Sequence, residues 1–175
     1  MQTFLPYSDF NKVAKCLDST RLYKQIVECK QILQTLDKIE YKRTHYKNGD
    51  EYKKLPWENH PAVLMWKGYE LTLRDYQEAM LQEWIIRRWN TYGMPNSFLI
   101  SSDSEKFGKD PEWLGDERLH SSHRAMLHWK DPEYYRSFKF DYIELCEEHN
   151  IDISVFDKPT YWWPITKDNK DGEWK

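Results

Sequence analysis

The chain has 175 residues, 16% of them aromatic with nine Trp and twelve Tyr, and a formal net charge of −3 at pH 7. That length suits one domain that buries its own core without disulfides or metal. The negative balance excludes a uniformly basic DNA-coating protein but leaves room for a local basic patch on an enzyme.

The three cysteines, Cys16, Cys29 and Cys146, are odd in number and form no CxxC pair. They point to a reducing compartment and to neither a disulfide framework nor a zinc site, and Cys16 and Cys29 read as structural. No apolar run is long enough to span a membrane. The opening MQTFLPYSDF lacks the basic start and apolar core of a signal peptide. A soluble, cytoplasmic protein is expected. So many Trp also exceed what a core needs, so some are expected at a binding surface.

The residue pattern predicts helices in chain order. A short helix is expected over 9–16. A longer one follows over 18–36, with Asp18 or Ser19 as N-cap and Leu22, Ile26, Cys29, Leu33 and Leu36 as its apolar stripe. Residues 37–58 read as a polar surface excursion with a turn over 47–50 and a basic set of Lys42, Arg43, Lys47, Lys53 and Lys54. A central core helix is expected over 61–89. Pro61 takes its first position behind Asn59 or His60, and Arg87 and Arg88 favour its C-terminal dipole. Its stripe is Ala62, Met65, Trp66, Tyr69, Leu73, Tyr76, Met80 and Trp84. Gly93 and Pro95 stop it. Residues 96–115 read as a loop and 116–130 as a third helix. Asp131-Pro132 is expected to start another short helix, and 140–150 a further one. The tail, about 165–175, is expected to be frayed. With no convincing alternating strand, the fold class is all-α, a compact single-domain helical bundle around three principal helices.

On the first long helix, Arg21, Lys24, Gln25 and Glu28 share a face beside the apolar stripe. One carboxylate among cations there suits catalysis, and equally suits a solvated face built from pairs such as Lys24 with Glu28. The third helix carries His120, His123, Arg124 and His128, suited to phosphate contacts or to hydrogen-bonded structure. A metal site needs a further ligand, and the sequence offers only His60 or distant carboxylates. His60 opens the core helix, where an anion or a simple cap is equally served.

Three blocks resemble the pyrimidine-dimer DNA glycosylase (endonuclease V-like) family. They are LDSTRLYKQIVECKQIL (17–33), NHPAVLMWKGYELTLRDYQEAMLQEWIIRR (59–88) and WLGDERLHSSHRAMLHWKDPEYYRSF (113–138), in the family's order and together less than half the chain. The resemblance implies a compact helical enzyme that needs no metal or cofactor. It would cut the glycosidic bond of a damaged pyrimidine in double-stranded DNA, by default a pyrimidine dimer, and then nick the strand as an AP lyase. The attacking group would be the α-amine at the chain's start, forming an imine with C1′ of the sugar. Glu28 takes the place of the family's supporting glutamate. Arg21, Lys24, Gln25, His60, His120, His123 and Arg124 are candidate DNA contacts, and the protein is expected to be a monomer.

Imine chemistry needs an unprotonated amine. A lysine starts near a pKa of about 10.4, whereas an α-amine starts near about 8. The base must also leave the stack to expose C1′. Two residues depart from the defining phage enzymes. Gln2 replaces the small residue exposed there by Met removal, so the nucleophile would be the amine of Met1 itself or the mechanism would differ. Val27 stands where those enzymes have an arginine before the glutamate. A glycosylase for another modified base fits the same residues. A non-catalytic DNA-binding module and a histidine-based metal-dependent hydrolase are the competing classes.

Overall fold

The structure, a computed structural model, describes residues 2–40, 57–92 and 107–175, without the side chains at positions 89, 90 and 92. Met1, the basic set from Lys42 to Lys54 with its turn, and the Gly93 and Pro95 stop lie outside these residues. So does most of the loop expected over 96–115.

Helix α1 (Phe10–Cys16) starts where the Asp9 carboxylate accepts the Lys12 amide at 3.0 Å. It buries Phe10, Val13 and Ala14. Helix α2 (Ser19–Glu40) follows almost at once. The Asp18 carboxylate accepts the Thr20 and Arg21 amides at 3.0 Å each, which satisfies two of the orphan donors of its first turn. Its inner face is Leu22, Gln25, Cys29, Ile32, Thr35 and Leu36. Ile26 and Leu33, placed on the stripe by spacing, are only partly buried at its flank. The helix also continues to Glu40, where a surface excursion was expected.

The single core helix expected over 61–89 is two. Helix α3 (Pro61–Leu64) ends after one turn, and α4 (Glu70–Tyr92) begins after a bend. Gly68 sits in that bend with φ +83°, a left-handed geometry that suits glycine and ends helices. The Glu70 carboxylate accepts the Gly68 amide at 3.0 Å. The predicted stripe survives the break. Ala62, Met65, Trp66, Leu73, Tyr76 and Met80 are all buried, and Tyr69 and Trp84 pack at the margin. Helix α4 packs on α1 and α2. Arg87 does not serve its own helix end. Its guanidinium crosses to the end of α1, donating to the carbonyls of Leu17 (2.7 Å), Ala14 and Lys15 (both 3.1 Å).

Helix α5 (Glu117–Lys130) is capped by Asp116, whose carboxylate accepts the Arg118 amide at 3.0 Å. The residues after Asp131 form a turn, not a helix. The Asp131 carboxylate and carbonyl accept the Tyr134 and Tyr135 amides, and helix begins again only at a 3₁₀ turn (Arg136–Phe138) leading into α6 (Lys139–Glu148). Helices α5 and α6 pack together.

The tail is not frayed. Strand β1 (Trp162–Trp163) pairs antiparallel with β2 (Glu173–Trp174), and Tyr161 and Lys175 exchange backbone hydrogen bonds of 2.9 and 2.7 Å. Gly172, at φ +88°, lets the turn close. A Cβ there would lie 2.2 Å from the Trp162 ring. Apart from this ribbon the described residues are all-α. Its main core draws side chains from Phe4 through Trp163, so both ends of the chain contribute.

Candidate active site

The site is built where the first residues of the chain cross α2. The Gln2 amide donates to Oε2 of Glu28 at 3.2 Å. One turn earlier on the same helix, Oε1 of Gln25 accepts the Phe4 amide at 2.8 Å. Two α2 side chains therefore accept two alternate amides of the entering segment.

Other helices hold the rest of it. The Leu5 amide donates to Nδ1 of His123 at 3.0 Å, and Nδ1 of His120 lies 2.7 Å from the Leu5 carbonyl. The Gly115 amide donates to Nε2 of His120 at 3.1 Å, so His120 is neutral with its proton on Nδ1, and it donates to Leu5. The Tyr76 hydroxyl lies 2.8 Å from both the Phe4 carbonyl and Oε1 of Gln25. The Trp66 indole donates to Oγ1 of Thr3 at 3.0 Å, and Arg124 donates to the Pro6 carbonyl at 2.9 Å.

Several candidate DNA contacts are thereby corrected. Gln25, His120 and His123 are buried, with 1%, 3% and 0% exposure, and present no surface to a phosphate. Burial holds His120 below the ordinary histidine range and pushes His123 down to about 3. Arg124 is a brace between Pro6, Asp141 and Glu117. Spacing could not reveal this, because the backbone partners on residues 4–6 lie 21 positions from Gln25 and more than 100 from His120, His123 and Arg124.

Arg21 and Lys24 remain near the surface on the Glu28 side of α2. Arg21 Nη1 pairs with Asp18 at 2.7 Å and lies 3.8 Å from Asp131. Burial, and then the positive charges of Arg21, Lys158 and Lys24, push the Lys130 amine down. A basic patch thus gathers from α2, the end of α5 and the segment before β1. Lys130 and Lys158 were not singled out from the sequence, since neither lies near α2 along the chain.

His60 caps α3, its Nδ1 accepting the Ala62 amide at 3.1 Å. Burial lowers its pKa, and the Glu28 carboxylate opposes that shift, so the ring faces the field of the site. Trp57, 56% exposed and at φ +68°, packs edge-on against His60 with ring centroids 5.4 Å apart. A left-handed Trp is strained backbone, and its indole stands in solvent beside the site.

Cys29 is fully buried with its thiol pushed well up, and burial raises Cys16 to about 12, so neither is a nucleophile at neutral pH. Among the described residues no group of three His, Cys, Asp or Glu is arranged to hold a metal, so the third ligand that a histidine site would require is not supplied there. No helix among them is long and apolar enough to cross a membrane.

The profile of the pyrimidine dimer DNA glycosylase family matches residues 1–93. The chain belongs to that family. As a member it is a DNA glycosylase, and DNA carrying a damaged base is its substrate class. The matched span carries the entering segment and α1 to α4, with Glu28, Gln25, His60 and Tyr76, while α5 and its histidines lie beyond it. Comparison with the curated proteins and with the solved structures gives no match.

Proposed function

We propose that the chain excises damaged or modified pyrimidines, pyrimidine dimers by default, through an imine and then nicks the strand as an AP lyase. The α-amine of Met1 attacks C1′ of the sugar and the base departs with the glycosidic electrons and takes up a proton. The nitrogen loses a proton, its lone pair then forms the C=N bond as the C1′–O4′ bond breaks, and O4′ is protonated, which opens the sugar to the imine. β-Elimination then breaks the 3′ phosphate ester. Glu28 stabilises the positive sugar and carries protons between these steps.

The observation that supports this is the contact between Glu28 and the Gln2 amide. The α-amine of residue 1 is joined to that amide through one residue, and consecutive Cα atoms lie about 3.8 Å apart. The Glu28 carboxylate thus binds the peptide group that joins Gln2 to the residue carrying the nucleophile. Arg21, Lys24, Lys130 and Lys158 hold phosphates, and Trp57 stacks against a base drawn from the helix or fills its gap. The protein acts as a monomer and as one domain, in the cytoplasm.

Borohydride trapping on ultraviolet-irradiated and abasic duplexes tests the proposal. A covalent adduct that survives chelator is the expected result. Binding without an adduct would instead make the chain a non-catalytic DNA module, and activity abolished by chelator would favour a metal-dependent hydrolase.

A further inference from the structure

We propose that Gln25 and His123 are positioning residues that hold the start of the chain in register against Glu28. Successive residues of an extended chain face opposite sides, and the segment here is gripped that way. The Phe4 amide turns to Gln25 on α2, and the next amide, of Leu5, turns to His123 on α5. The segment is thus clamped between two helices, upstream of any contact with substrate.

Neither acceptor is explained by packing alone. A buried polar group is costly unless it is paired, so a Gln and a His at 1% and 0% exposure need a reason to be polar. For Gln25 the reason is two bonds of 2.8 Å to Oε1, from Phe4 and Tyr76. For His123 it is Nδ1 alone, because its buried Nε2 has no hydrogen-bond partner among the described residues. The ring is retained there to offer one acceptor to one backbone amide. Slippage by a single residue would exchange which amides face α2 and would carry the Gln2 amide away from Glu28. The role of both residues rests on the imine chemistry proposed above, because only a terminal nucleophile makes the register of this segment matter for rate.

The test compares His123→Phe, which keeps a ring but removes the acceptor, with His123→Asn, whose Oδ1 replaces Nδ1. Single-turnover trapping on an abasic duplex is measured per folded molecule, alongside duplex affinity. His123→Phe is expected to bind DNA as the parent does yet trap on the order of 10- to 100-fold more slowly, as a misplaced reacting group would. His123→Asn is expected to restore most of the rate. A folded His123→Phe that traps at the parental rate would overturn the proposal. If His123→Phe does not fold, Gln25→Met against Gln25→Glu asks the same question from the α2 side. If the parent itself forms no adduct, the imine reading fails, and the clamp is then judged by amide exchange at Phe4 in the free protein. Faster exchange in His123→Phe but not in His123→Asn supports it, and unchanged exchange overturns it.

Discussion

The Tyr76 hydroxyl and Oε1 of Gln25 meet 2.8 Å apart in the buried contact between α4 and α2. The same hydroxyl is 2.8 Å from the Phe4 carbonyl, so its one proton serves both the helix pair and the entering segment. Burial drives the Tyr76 pKa well up, which keeps that proton in place at any working pH. Tyr76→Phe retains the ring and leaves two acceptors short of a donor. It should cost about 1–3 kcal/mol of stability, read by chemical denaturation. A change indistinguishable from zero would show that the hydroxyl carries no net stabilisation.

Glu28→Gln should preserve the fold, because a glutamine oxygen can still accept the Gln2 amide and the side chain is only partly buried. What it removes is the negative charge. Excision is expected to fall by about 100-fold or more, in line with the loss of a preorganised electrostatic group, with the melting temperature little changed. Normal turnover by a folded variant would sink the assignment of Glu28.

Acid should loosen the protein before its carboxylates titrate. Burial depresses His120, His123 and His60 below their unfolded value of about 6.5. The unfolded chain therefore takes up protons first, and stability present above about pH 6.5 declines as pH falls towards the folded values. For His123, with a folded value of about 3, the loss between pH 7 and pH 5 is about 2 kcal/mol. Asp18 and Asp116, both held below the usual carboxylate range, extend the decline further down. Urea midpoints at pH 7, 6 and 5 check this, and His123→Asn should flatten the slope. Constant midpoints would contradict the buried neutral histidines.

Lys130→Ala and Lys158→Ala should each weaken duplex binding with little effect on the chemical step. Removing one phosphate contact lowers the slope of log affinity against log salt by about 1. Titrations at several salt concentrations give that slope directly. An unaltered slope in both variants would remove the patch around Arg21 and Lys24 from the DNA interface.

Much of the helical plan was legible in local chemistry. Asp9, Asp18, His60 with Pro61, and Asp116 mark helix starts because each cap satisfies amides within three residues of itself. The stripe from Ala62 to Trp84 was legible too, since its period survives a bend. The bend itself was not, because Gly68 is one glycine in an otherwise helical run, and the gain from turning there depends on what α3 and α4 pack against. The tail was misread for a similar reason, since pairing 161 with 175 depends on the Trp162 ring lying over Gly172.

Local sequence sufficed for the helical class, for the placement of Glu28 on the first long helix, and for the family through contiguous blocks of residues. These are local properties, set by spacing and side-chain type. Packing alone settled which neighbours of Glu28 stay near the surface and which turn inward. Gln25, His120, His123 and Arg124 resembled phosphate ligands because they are polar and stand beside other polar or cationic residues on their own helices. Folding turns them onto the buried backbone of residues 4–6, where an unpaired amide or carbonyl would be more costly than an unmet phosphate contact. The contact between Glu28 and Gln2 is of the same kind. It joins positions 26 residues apart, and only the packing of α2, α4 and α5 around the start of the chain brings them together.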